Sequence, residues 1–317
     1  MSWPSNPEVW GEFSHDIKTE YAQVANAIAR FEPVLMIAAP GLAAEVKNFC
    51  DSSIEVVEFP LDDAWIRDNG PIITQDANGE RVGVHFGFNA WGQKFPAFTK
   101  DAALPEHVLN HLGIPRRVSS LILEGGSVAV DGEGTLITTE QCLLNPNRNP
   151  HLSKADIEAE LKAQLGVEKV IWLPYGHFFD RATDGHIDGI LAYLRPGVVI
   201  AQTQSDPNHP DFERLGKNFE ILRQEKDARG RSLEIIELPY YPEFEIKGNH
   251  DAICYANFYI ANGGIVVPTG GVPEDEAALD LIREAMPGYK VVGVQARLIA
   301  YGGGGPHCIT QQIPKGK

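Results

Sequence analysis

Nucleophilic chemistry has one prominent candidate in this chain, Cys308, in the stretch "AYGGGGPHCITQQIP" at 300–314. The thiolate, not the thiol, is the nucleophile, and a partly exposed cysteine beside a cationic group or substrate has that form favoured. The glycines before it, Gly302, Gly303, Gly304 and Gly305, allow backbone angles and a closeness of approach that side chains would block, which suits a loop that must lie against a ligand. Taken alone, the stretch also reads as a pliable turn before a last strand, "CITQQIP", with Cys308 packed inside.

Acid–base chemistry points to "RATDGHIDGILAYLRPG" at 181–197. If His186 to Asp188 is extended, the two-residue period sets imidazole and carboxylate on one face while Ile187 turns to the core. Such a pair is also a plausible metal-ligand pair, although no third and fourth ligand follows at helical or hairpin spacing. A surface histidine beside an aspartate in a glycine-flanked turn is the plainest alternative. In "PLDDAWIRDNGPI" at 60–72, Asp62, Asp63, Arg67 and Asp68 crowd round Trp65, and Asn69-Gly70-Pro71 forces a turn directly after them. Carboxylates beside an aromatic wall suit a flat cation, since a planar guanidinium gives paired donors to carboxylates and stacks on rings; a solvated charge cluster beside a packed tryptophan is the alternative. Glu124 in "LILEGGSVAVDGEGTLITTEQ" follows an apolar strand and precedes two glycines, at a strand end where a pocket would open, or else serves as a turn acid. Cys50, Cys142 and Cys254 have apolar neighbours and read as core.

These groups need a scaffold, and the sequence supplies alternating helices and strands. Residues 14–31 space Ile17, Tyr21, Val24 and Ile28 at three- and four-residue steps behind Ser14 as cap, which predicts an amphipathic helix. A buried strand follows at 33–39, a helix at 41–50, a strand at 54–59, and extended stretches at 71–75 and 81–86 around the "DANG" turn. Helices at 153–165, 211–226 and 274–286 are each followed by a β-rich run, "KVIWLP", "EIIELP" and "KVVGVQ", and Asp131 to Gly134 reads as a hairpin turn. The class is mixed α/β, with helix–strand units recurring at irregular spacing and no strict sequence repeat. With 317 residues, 43% of them hydrophobic, and with 31 Gly and 22 Pro spread evenly, one continuous domain over 1–317 is expected.

Composition also excludes. Twenty-seven Lys and Arg against 43 Asp and Glu leave a formal charge of -16, so the surface repels phosphate backbones and nucleic acid is not an expected partner. None of the four cysteines shows C-x-x-C spacing, so they read as reduced thiols. No apolar run approaches the roughly 20 residues of a membrane span, and "MSWPSNPEVW" has neither basic region nor apolar core of a signal peptide. A soluble, cytoplasmic protein that does not engage membranes is the expectation.

Taken in order, "DDAWIRDNGP", "FNAWGQKF", "EGGSVAVDGEGTLITTEQCLLNPNRNP", "TDGHIDG", "RPG" and "GGGGPHCITQQIP" resemble the agmatine deiminase and bacterial peptidylarginine deiminase family. The resemblance implies the pentein fold, a β/α-propeller of five ββαβ-type modules about a central pocket with pseudo-fivefold symmetry. It implies Cys308 as nucleophile, His186 as general acid/base, Asp68 and Asp188 as the carboxylates gripping a guanidinium, Trp65 as pocket wall, and Glu124 as the acid beside the histidine. Gly304 and Gly305 would lie against the substrate. The implied reaction needs neither cofactor nor metal: agmatine and water give N-carbamoylputrescine and ammonia through a covalent amidino-thioether, a step toward putrescine and the polyamines. Deimination of arginine, peptidyl arginine or an alkylguanidine, amidino transfer to an amine, and guanidine binding without turnover are the other readings. Two departures stand out. Ala182 occupies the position where agmatine-selective members carry an acid for the distal ammonium, leaving Asp180, Asp184 or Asp62 to replace it. The chain is also expected to begin inside the first module. A homodimer is expected from the resemblance alone.

Overall fold

One motif recurs through the chain: an antiparallel hairpin whose second strand passes through a helix to a third strand, parallel to the second. The computed structural model, which describes residues 1–241 and 243–316, contains it four times among those residues. Strands Ile72–Gln75 and Arg81–Gly87 pair antiparallel, and helix Thr99–Leu112 leads to the parallel strand Arg116–Ile122. Val128–Val130, Thr135–Thr139, helix Lys154–Leu165 and Lys169–Leu173 repeat the order. So do Leu191–Arg195, Val198–Gln202, helix Asp211–Gln224 and Glu234–Leu238, and finally Tyr259–Ala261, Gly264–Thr269, helix Glu274–Ala285 and Lys290–Gln295. A shorter version opens the chain, with Leu35–Ala38 parallel to Glu55–Glu58 through helix Ala43–Phe49. A single bridge from Ser2 to Ile37 stands beside it.

The chain divides into two compact units. One combines Met1–Ile66 with Tyr241–Thr310; the other runs from Arg67 to Tyr240 and takes in the chain from Gln311. In the second unit the middle strands Thr135–Thr139 and Val198–Gln202 are buried at every position, which explains why they read as unbroken runs of β-branched and apolar residues and not as alternating patterns. Around them lie two apolar clusters. Ile137, Ile171, Leu191, Val199 and Phe219 belong to one, and Val84, Leu121, Leu136, Cys142 and Leu161 to the other.

Local chemistry sets the boundaries. Helix Lys154–Leu165 starts at a reciprocal cap, where Ser153 Oγ accepts from Asp156 N and the Asp156 carboxylate accepts from Ser153 N. The hairpin before Thr135 is closed by Asp131, whose Oδ1 accepts from Glu133 N at 2.7 Å and Thr135 N at 2.9 Å. Three expectations are corrected. Ser14 does not cap its helix: the short 3₁₀ turn Gly11–Phe13 precedes Ser14–Ala29, so Ser14 is already helical. His186 to Asp188 is not extended, because Ile187–Gly189 forms a 3₁₀ turn ahead of strand Leu191–Arg195. Residues 308–316 form no strand; Thr310 Oγ1 donates to the carbonyls of Pro306 and His307 and closes a turn there.

The exposed cap at Ser153 gives a clean test of the helix reading. Ser153→Ala should lower stability by about 1 kcal/mol, seen as an earlier midpoint in urea denaturation.

Candidate active site

In the second unit, three side chains from two segments converge on one glycine, with Glu124 two residues before it. Asp68 sits in the helical turn Ile66–Asn69, and its Oδ1 accepts from Gly126 N at 3.0 Å while Oδ2 accepts from Trp91 Nε1 at 2.9 Å. A Cβ placed on Gly126 would lie 2.6 Å from His186 Nδ1, 2.8 Å from Asp68 Oδ1 and 2.9 Å from Asp188 Oδ2. No side chain larger than hydrogen fits there, so a glycine is needed for imidazole and two carboxylates to share that space. His186 Nδ1 lies 3.8 Å from Asp68 Oδ1 and its Nε2 3.7 Å from Glu124 Oε2, which are ion-pair distances and too long for hydrogen bonds. All four groups are buried.

Their burial decides their charge. Desolvation pushes the Asp68 carboxyl up to about 6 against the pull of the His186 charge. For His186, burial works against the cation, but Asp68, Cys142 and Glu124 outweigh it and hold the imidazole well above its ordinary value. Glu124 is fully buried, yet His186 and Arg148 hold its carboxyl below the usual range. Imidazolium beside carboxylates is therefore the resting state, and it can give a proton to a departing nitrogen.

The bend that delivers His186 depends on Asp184 and Gly185, both left-handed at φ 64° and 91°. Asp180 accepts from Thr183 N, Gly185 N and His186 N, and Thr139 Oγ1 donates to the Gly185 carbonyl at 2.6 Å. These bonds, and not a strand period, place the imidazole and the Asp188 carboxylate together. Asp180 and Asp184 are thereby committed internally: Asp184 pairs with Lys94 at 2.7 Å and with Arg148 at 2.6 Å.

Cys308 belongs to the first unit. It is a buried thiol, 6% exposed, and the Asn257 amide nitrogen donates to its Sγ at 3.2 Å. Asn257 Oδ1 accepts from His307 N and Cys308 N, so one buried amide fixes both the backbone and the sulfur. The glycines crowd the same place. A Cβ on Gly304 would lie 2.6 Å from the Trp65 ring and 3.0 Å from Cys308 Sγ, and one on Gly305 2.7 Å from Asn257 Oδ1. Close approach is thus what Gly304 and Gly305 provide. Trp65 is backed by Trp10 and anchored by its Nε1, which donates to Asp63 Oδ2 at 2.9 Å. Asp62 is half-buried and its carbonyl accepts from Asn6.

Three contributors were not anticipated. Asn257 lies in "CYANFYI", where nothing in the local pattern marks an amide as special. Trp91 lies within "FNAWGQKF", where Ala90, Trp91, Gly92 and Gln93 all have positive φ; consecutive strained residues of this kind gather at functional sites, and here they aim an indole at Asp68. Cys142 packs in the core as expected, yet it also stands beside His186. Glu124, Cys142 and His186 bring one ligand atom each within 4.8 Å of one another, but Arg148 is already paired to Glu124 at 2.8 Å and opposes a second cation there.

Known proteins share this framework. A family model described as Porphyromonas-type peptidyl-arginine deiminase matches residues 1–314. The agmatine deiminase of Pseudomonas fluorescens is 40% identical over 341 residues, covering 99% of this chain and 92% of that protein. Among solved structures, an Enterococcus faecalis agmatine deiminase, described as catalyzing its reaction, superposes with a TM-score of 0.95 at 34% identity over 99% of this chain and 92% of that one. A cysteine-to-serine variant of the C. jejuni agmatine deiminase, with substrate bound, gives a TM-score of 0.90 at 30% identity over 99% and 92%. With this match along nearly its full length, the chain belongs to the Porphyromonas-type peptidyl-arginine deiminase family, within the pentein superfamily of agmatine and peptidylarginine deiminases.

Proposed function

We propose that this protein is a thiol-dependent hydrolase that deiminates a small guanidine, with agmatine as the leading substrate and N-carbamoylputrescine and ammonia as products. The observation that carries the reading is the convergence of Asp68, Asp188 and His186 on Gly126: two carboxylates and an imidazolium gathered about one residue that has no side chain. Membership of the deiminase family supports it, as does the agmatine-specific description of the relatives.

In this reading Cys308 Sγ attacks the guanidinium carbon and forms a C–S bond. His186 transfers its proton to the departing nitrogen, the C–N bond breaks, and ammonia leaves an amidino-thioether. The neutral imidazole then takes a proton from water as the oxygen attacks the same carbon, the C–S bond breaks to release the thiolate, and the remaining hydroxyl proton passes to solvent to leave a neutral urea. Asp68 and Asp188 hold the planar cation by charge-assisted hydrogen bonds. Trp65 supplies the flat wall, with Gly304 and Gly305 alongside. The repeated hairpin–helix–strand motif is read as the modules of a single pentein domain, the five-module propeller that the resemblance implies. The same resemblance carries the expectation of a cytoplasmic homodimer serving putrescine formation. Ala182 leaves the distal ammonium without the usual acid, and Asp62, Asp180 or Asp184 would have to receive it.

Ammonia release from agmatine, arginine, peptidyl arginine and alkylguanidines should be fastest with agmatine, and Cys308→Ala should abolish it; turnover surviving that substitution would refute the mechanism. A new guanidine formed on adding acceptor amines, in place of ammonia, would mark an amidinotransferase. The pH dependence has a defined sign. Asp68 must be ionised, so kcat/KM should fall as pH drops through about 6. His186 must carry its proton, so activity should decline again only when pH passes its raised value, on the alkaline side of 6.5. Asp68→Asn should cost roughly 100-fold or more in kcat/KM, measured at the optimum.

A further inference from the structure

The tripeptide Asn147-Arg148-Asn149 has no role in the chemistry above, yet it ties together three of the segments around the His186 cluster. Arg148 is 3% exposed. Its Nε donates to Glu124 Oε1 at 2.8 Å, its Nη1 to Asp184 Oδ2 at 2.6 Å and Asn147 Oδ1 at 2.7 Å, and its Nη2 to the Thr183 carbonyl at 2.9 Å. Asn149 pins the strand end before Glu124, accepting from Ile122 N at 3.0 Å and donating to Ile122 O at 2.9 Å. Asn147 donates to Asp184 Oδ2, its carbonyl accepts from Asn89, and its side chain fills the space a Cβ on Gly92 would need. Three separate stretches, 89–92, 122–124 and 183–186, thus meet on three consecutive residues.

We propose that Arg148 is the positioning residue for the acid–base histidine: its planar fork holds the Glu124 carboxylate toward Nε2 of His186 while fixing the left-handed bend that delivers the ring. The geometry requires a fork. Glu124 and the Thr183–Asp184 backbone lie on different sides of one guanidinium, and a point charge on a flexible stem cannot address both. The groups facing His186 are Asp68 from the turn Ile66–Asn69, Glu124, Cys142 from the helix Glu140–Leu143, and Asp188. Arg148 faces Glu124, Asp184 and Cys142, and Lys94 reaches the far oxygen of Asp184.

This rests on His186 being the acid–base group, and the test separates the two claims. Arg148→Lys keeps the charge and loses the fork. Expected is a fall in kcat of at least about tenfold with KM within about threefold. The His186 ring, followed by nitrogen NMR of the histidine-labelled full-length chain and identified by its absence in His186→Gln, should titrate about one unit lower. A role through charge alone predicts no change in Arg148→Lys and an upward shift in Arg148→Met, since a cation is then removed. Wild-type kcat and ring titration in Arg148→Lys would overturn the proposal. Should that variant not fold, Asp184→Asn, which weakens one arm of the fork, must show the same downward shift, and a wild-type titration there overturns it equally. If His186→Gln turns over normally, the acid–base reading fails, while the ring titration still decides what Arg148 does.

Discussion

Buried charge is the constraint on which the second unit depends. Carboxylates at Asp68, Asp188 and Glu124 are removed from water, and isolated ions in such surroundings would neutralise by taking up protons. Asp68 and Glu124 are answered within the unit. The Gly126 amide and the Trp91 indole serve Asp68, Arg148 serves Glu124, and the imidazolium lies between Asp68 and Glu124. That requirement explains features which packing alone does not: the positive-φ run at Ala90–Gln93, the left-handed pair at Asp184 and Gly185, and a glycine at 126. Strain is tolerated at these places because the bonds it permits satisfy groups that have no other source of solvation.

The first unit meets a milder demand by different means. A sulfur is held in place there, and a neutral amide, Asn257, does so without adding charge. The glycines at 302–305 serve close approach, since Trp10, Trp65, Asn257 and the sulfur itself occupy the space that side chains at 302, 304 and 305 would take.

Most of the scaffold was legible because hydrophobic period and cap chemistry act locally. The helices at 14–29, 154–165, 211–224 and 274–285 and the strands after them lie within a few residues of their predicted positions. Misread elements share a cause, which is that hydrogen bonds and turns outside the element itself override its own preference. The His186 segment is bent by Asp180 and Thr139, and Ser14 loses its cap role to a preceding turn. Among the candidate residues, the sequence singles out those whose type is chemically loud, His186, Asp68 and Cys308. Asn257, Trp91 and Arg148 stayed silent because their importance lies in partners 23 to 51 residues away, which no local pattern encodes.

Counted at formal charge, the enclosure around Gly126 holds three anionic side chains, Asp68, Asp188 and Glu124, and two cationic ones, His186 and Arg148, while Lys94 and Asp184 cancel at its edge. The buried Arg67, whose Cδ would lie 3.2 Å from a Cβ on Gly125, brings a third cation close to them, so the charges held out of water there balance.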